Sequence, residues 1–183
     1  YLVSVASPDS DFNWVNKGPK STFKFINKVV SYFEKTKLGK SSASIESKIN
    51  KVIIRITDDI ENLKYNLGVI KLRQLFEAIE EQEQISKQTA ESFLKLLSVF
   101  CPHISEELWQ KAGGKGFISL ADWPIADKSK IDEKLEKAEQ SVDNTISDIM
   151  NILKIIEDKK EKRDKIYVYI MPFEKEYFDE KKI

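Results

Sequence analysis

The chain has 183 residues, 41% hydrophobic and 33% charged, with a formal net charge of zero. No apolar run approaches the ~20 residues of a membrane span, and no signal-peptide pattern opens the chain, so a soluble protein without a membrane partner is expected. One cysteine, Cys101, and one histidine, His103, exclude an intrachain disulfide framework and argue against structural zinc, which wants four N or S ligands; a reducing compartment, the cytoplasm, fits.

The zero net charge conceals a polarity. Residues 17–55 hold ten Lys or Arg against two acids, a local charge of +8. Residues 56–149 hold eleven basic and eighteen acidic side chains, a local charge of −7. Such a chain presents a basic end that can meet phosphate.

In chain order, the apolar start Tyr1-Leu2-Val3-Ser4-Val5-Ala6 lacks an initiator methionine and suggests a cut through a larger protein. Val3 and Val5 favour a strand, and the tail of a helix fits equally. Residues 6–16 carry turn chemistry around Ser7-Pro8-Asp9-Ser10, with Phe12 and Trp14 expected to anchor the loop. Gly18-Pro19 opens a first helix, with Phe23, Ile26, Val29, Val30 and Phe33 as its buried face. Lys20, Lys24, Lys28 and Lys35 fall within roughly 80° of one another at 100° per residue and form a basic stripe. A second helix begins near Ser44 and buries Ile45, Ile49, Val52, Ile53, Ile56, Ile60 and Leu63. Lys48, Lys51 and Arg55 lie off that stripe. The short link predicts that the two helices are antiparallel neighbours whose basic stripes merge into a phosphate-contacting face. A solvated lysine face is the other reading of the same residues.

Tyr65-Asn66-Leu67-Gly68 is expected to interrupt the helical run. A third helix follows with Ile70, Leu75, Phe76 and Ile79 inside. A fourth, over 86–100, buries Ala90, Phe93, Leu94, Leu97 and Phe100. Pro102 starts a short helix holding Glu106 in an early turn and Trp109 beside Ile104 and Leu108. Gly113-Gly114 ends it, and Phe117, Ile118, Leu120 and Trp123 supply a segment that closes one end of the bundle. A long amphipathic helix over 127–160 is expected to pack on the bundle through Ile131, Leu135, Ala138, Val142, Ile146, Ile149, Ile152 and Ile156. Residues 166–171 read as a strand stopped by Pro172.

No glycine-rich phosphate loop and no nucleophile–base–orienter set is present, so no catalytic or cofactor-binding residue is assigned. His103 beside Cys101 reads as local structure.

Pro102-His103-Ile104-Ser105-Glu106-Glu107-Leu108-Trp109, with Phe117-Ile118-Ser119 and Ala121-Asp122-Trp123-Pro124 after it, resembles the C-terminal helical domain of class I aminoacyl-tRNA synthetases of the leucyl, isoleucyl and valyl group. Asp11-Phe12-Asn13-Trp14, within Ala6-Ser7-Pro8-Asp9-Ser10, is most similar to the leucyl branch of archaeal and eukaryotic-cytosolic type, where such a motif links catalytic core to bundle. The resemblance implies a mainly α fold: an antiparallel bundle of anticodon-binding type. It assigns 1–16 to a linker, 17–126 to the bundle, 127–160 to the long helix and 161–183 to the start of a small α/β module. It makes Asp11, Trp14, His103, Glu106, Trp109 and Trp123 motif residues and residues 1–6 the end of a helix. It implies tRNA and the remainder of the synthetase as partners. It also implies a parent that ligates leucine to tRNA with ATP and magnesium bound elsewhere, since the HIGH and KMSKS signatures are absent here. This piece alone is then expected to be inactive. In that family the bundle would hold the tRNA by shape and phosphate rather than read the anticodon. A valyl or isoleucyl origin, or a helical interaction module without RNA, are the competing expectations.

Overall fold

The computed structural model describes residues 1–158 together with Tyr167, Tyr169, Met171 and Pro172. It divides into two units, 1–131 and 132–183. Seven α-helices are described: α1 (Leu2–Val5), α2 (Lys17–Lys35), α3 (Ala43–Glu61), α4 (Tyr65–Glu80), α5 (Lys87–Ser98), α6 (Pro102–Lys111) and α7 (Glu133–Asp158). Two strands of two residues, β1 (Lys37–Leu38) and β2 (Gln84–Ile85), pair in parallel, and two 3₁₀ turns cover Ile118–Leu120 and Lys128–Lys130. The mainly α expectation holds.

The helix starts follow local chemistry. Ser42 Oγ accepts from Ile45 N–H at 3.3 Å and Ser86 Oγ from Thr89 N–H at 3.1 Å, each satisfying a donor the first helical turn leaves free. Pro102 occupies the first turn of α6, where a missing N–H costs nothing. The break between α3 and α4 falls at Asn62–Lys64, not at Tyr65–Gly68. Leu63 takes φ +59°, and Lys64 N–H donates to Asp59 O at 2.7 Å, which ends α3. Gly68 is inside α4, buried near the Phe100 ring.

The core of the first unit is one apolar cluster. α3 gives Ile45, Ile49, Ile53 and Ile56, α4 gives Leu72, Leu75, Phe76 and Ile79, and α5 gives Ala90, Phe93, Leu94 and Leu97. At ~1.5–3 kcal/mol per fully buried large apolar side chain, these positions supply the main driving force for folding. α2 docks on this cluster through aromatics: Phe25 meets Phe76 edge-on at 5.6 Å, and Phe33 stacks on Phe93 at 5.8 Å. Its packing partners are α4 and α6 rather than α3, so the expected antiparallel pairing of the first two long helices does not occur. A core aromatic seam on α4 and α5 draws α2 away from its neighbour in sequence.

The connections after α2 and α4 are clasped together. Gly39 N–H donates to Ile85 O at 2.8 Å, and a side chain at Gly39 would stand 2.2 Å from Gln84 Oε1. Buried Ser41 Oγ accepts from Ser86 N–H at 2.8 Å and lies 2.8 Å from Thr89 Oγ1. Across the α3–α4 turn, the nearly buried Asp59 carboxylate pairs with Lys71.

The segment after α6 packs on α6 and α5 through Ile118–Leu120 and then runs along α3. Trp123 Nε1–H donates to Thr57 Oγ1 at 2.9 Å, Asp127 N–H to Asn50 Oδ1 at 2.7 Å, and Lys130 pairs with Glu46 at 3.3 Å. Residues 46, 50 and 57 lie within roughly 40° on the α3 wheel, so one helix face holds the whole strap. Residues 127–131 therefore belong to the first unit, and the long helix begins at Glu133, six residues later than expected.

In the second unit Asp132 caps α7, its carboxylate accepting from Lys134 and Leu135 N–H, both at 3.0 Å. Of the expected apolar stripe, Ala138 is buried, Leu135, Val142 and Ile149 are half-buried, and Ile146 and Ile152 are exposed. Most of the predicted 166–171 strand, and residues 161–166, lie outside the described residues. No helix among those described is long and apolar enough to cross a membrane.

Candidate nucleic-acid interface

The four lysines of the first stripe do come together. α2 presents Lys20, Lys24, Lys28 and Lys35 along one side of an open groove of about 930 Å³. All four are exposed. Lys20, Lys24 and Lys28 succeed one another at one helical turn, roughly 6 Å along the axis. Across the groove stands one carboxylate, Glu80, at the C-terminal end of α4, which pairs with Lys28 at 3.0 Å. Both partners are largely solvated, so the pair is worth at most ~1 kcal/mol and a phosphate can displace it. The net field of the groove is positive, and an anionic chain laid in it would release counterions.

Two aromatic side chains belong to the same groove. Phe23 was expected in the core but is 66% exposed, with its ring among the lysines. Tyr32, at the far end, is half-buried against Phe76 and donates from its hydroxyl to Gln82 O at 3.3 Å. Burial raises the Tyr32 pKa above the ordinary phenol value and a hydrogen bond with Thr36 opposes that, so the side chain is neutral at physiological pH. On the helical wheel Phe23 lies roughly 60° from Lys20 and roughly 60° from Ile26, on the seam between faces. Neither Phe23, Tyr32 nor Glu80 was singled out from sequence as part of a site.

Lys48, Lys51 and Arg55 are elsewhere. They project from α3, on the side away from the strap, and do not line the groove. Lys48 and Lys51 are half-buried and Arg55 is exposed. Because α2 packs on α4 and α6, the two basic stripes do not become one surface through a shared helix pair.

The motif residues divide by burial. Glu106 Oε1 accepts from Ile118 N–H at 3.0 Å, fastening the turn after α6 back onto it. Trp109 is 5% exposed, lies under the Lys95 ammonium at 5.6 Å, and is backed so closely by Gly114 that a side chain there would reach within 2.2 Å of the indole. Trp123 anchors the strap as described. Asp11, Trp14 and His103 are exposed; Trp14 meets the edge of the Tyr1 ring at 5.4 Å and bonds Asn16, and at 59% exposure it does not anchor residues 6–16 to the core. Among the described residues neither Cys101 nor His103 takes part in a side-chain hydrogen bond. Burial raises the thiol pKa of Cys101 above its ordinary value, the reverse of what a nucleophile needs. No group of three or more metal-ligating side chains occurs among the described residues.

Comparison with known proteins fits this arrangement. The family described as the anticodon-binding domain of tRNA ligase matches residues 42–168. A leucine–tRNA ligase of Pyrococcus furiosus is 29% identical, over 91% of this chain and 20% of that protein. One of Mycoplasma mycoides is 32% identical, over 72% of this chain and 17% of that protein. The chain thus spans about a fifth of the length of these relatives. Among solved structures, a ternary complex of Agrobacterium radiobacter K84 agnB2 LeuRS with tRNA and LeuAMS has a TM-score of 0.57 at 17% identity, covering 72% of this chain and 20% of that one, a likeness of fold. On the family match over most of its length, this chain belongs to the anticodon-binding domain family of tRNA ligases.

Proposed function

We propose that this chain is the tRNA-holding helical domain of a cytoplasmic leucine–tRNA ligase, and that it grips the RNA backbone through the lysine groove of α2. The observation that carries this reading is the convergence of four exposed ammonium groups on one groove against a single, already paired carboxylate. Lysines on a helix supply point charges without the planar fork of arginine, which suits positioning by phosphate more than reading of bases. The leucine specificity is supported by relatives that are leucine–tRNA ligases, including the Pyrococcus furiosus protein that aligns with 91% of the chain. Joining leucine to tRNA, with ATP and magnesium, is then work for other parts of the ligase. In the described residues the domain offers no activated nucleophile, since the one cysteine is held as a thiol.

The test is equilibrium binding of the chain to a leucine tRNA transcript across 50–300 mM salt. Binding that weakens steeply with salt is expected, and a competing tRNA of another specificity should displace it nearly as well if the grip is on phosphate. Absence of salt-sensitive RNA binding, with association to a protein instead, would replace this reading with that of an interaction module.

A further inference from the structure

We infer that Phe23 is a stacking platform: the α2 groove takes an unpaired nucleotide, its base on the Phe23 ring and its flanking phosphates on the lysines to either side. The inference rests on the RNA-binding reading of the same groove and goes beyond it, because a row of lysines alone would hold only the backbone.

Phe23 is 66% exposed on a helix whose other large apolar side chains nearby, Phe25, Val29 and Phe33, are packed inward. Exposing a phenylalanine forgoes roughly 2 kcal/mol of burial. Its place is specific: Lys20 lies three residues before it, Lys24 one after and Lys28 five after, all lining the same groove. Flat apolar surface interleaved with cations is the pattern that holds single-stranded nucleic acid, each base finding an aromatic face while ammonium groups follow the backbone. A paired base has both faces covered by its neighbours and cannot lie on Phe23, so the occupant is a loop, bulge or end. Stacking on a phenyl ring reads no base edge, so the contact adds affinity and register without sequence preference. α2 also lies outside residues 42–168, so the platform is a feature of this chain beyond the stretch that defines the family match.

The test uses the full chain and three probes: the leucine tRNA transcript, a uridine 12-mer, and a 12-mer of the same backbone with abasic sites. Phe23→Ala is expected to weaken uridine 12-mer binding roughly 5- to 140-fold, from ~1–3 kcal/mol per stacked base at 1.4 kcal/mol per tenfold, with the salt slope unchanged. It should leave the abasic 12-mer unaffected, and Phe23→Tyr should restore binding. Because Phe23 contributes little to the core, the thermal midpoint of Phe23→Ala should match that of the parent chain. If Phe23→Ala binds the uridine 12-mer as the parent does while charge reversal of Lys20, Lys24 and Lys28 weakens all probes, the stacking inference is wrong and the phosphate grip stands. If neither change matters, both fall. If polyglutamate competes on equal terms and loses the same factor in Phe23→Ala, the occupant is an acidic protein segment and the inference is overturned.

Discussion

Replacing Lys71 by methionine should remove about 3 kcal/mol of stability from the helical bundle. The Asp59 side chain is only 6% exposed and that of Lys71 23%, and the pair ties α3 to α4 directly across their turn. Methionine keeps the length and apolar stem of Lys71 but leaves the carboxylate unpaired in a site water scarcely reaches. Breaking a buried pair in this way costs ~3–5 kcal/mol, and the partial access on the lysine side argues for the lower end. Exposed pairs give the contrast: Lys111 and Glu107 meet at 3.0 Å but are 45% and 68% exposed, where solvent screens most of the attraction. Urea unfolding followed by far-UV circular dichroism, with extrapolation to water, measures the difference. A double change, Asp59→Leu with Lys71→Met, should recover much of the loss, because it removes the stranded charge along with its partner. A loss below about 1 kcal/mol in Lys71→Met would refute the reasoning and class the pair with the exposed ones.

Two further changes probe the α6 region. Gly114→Ala should cost roughly 1–3 kcal/mol, since its Cβ would sit 2.2–2.4 Å from atoms of the buried Trp109 indole, and tryptophan emission should shift with it; unchanged stability and emission would mean the contact relaxes freely. Cys101 should react with a thiol reagent at pH 8 far more slowly than an unfolded cysteine, because burial raises the pKa and so lowers the thiolate fraction below that of the unfolded chain. The sign extends to stability: the folded state favours the protonated thiol, so that contribution is present below the unfolded pKa and is lost as pH rises through the folded one. Equal reaction rates with and without urea would contradict it.

The helices were legible because their cores are strongly periodic: Ile45, Ile49, Ile53 and Ile56 leave no other reading of α3, and Pro102 marks the start of α6. The break before α4 was misplaced because Gly68 and its neighbours look like a turn, whereas the turn is made by Leu63 at positive φ, a residue that local propensity disfavours there. The neighbours of α2 were not legible either. They depend on which aromatic rings its inner face meets, and Phe76 and Phe93 lie far along the chain. The candidate site was half visible: spacing alone puts Lys20, Lys24, Lys28 and Lys35 on one face. Phe23, at the seam of that face, needed the packing of α2 to be assigned, and Glu80 needed α4 to be placed beside it. The strap was missed for a related reason: Glu46, Asn50 and Thr57 look like an ordinary polar helix side until Trp123 and Asp127 arrive to bond them.

The central claim, that α2 carries the RNA grip, is tested most directly by the salt slope of tRNA binding in a triple charge reversal, Lys20→Glu, Lys24→Glu and Lys35→Glu. These three lysines line the groove, and no ion pair in the described fold depends on them. Each lost phosphate contact should reduce the slope of log K against log salt by about 0.7–0.9, so the three together should flatten it by about 2 to 3. A matched reversal of Lys128, Lys134 and Lys137, outside the groove, should leave the slope near that of the parent chain. A slope unmoved by the α2 reversal, or moved equally by the control, would contradict the account.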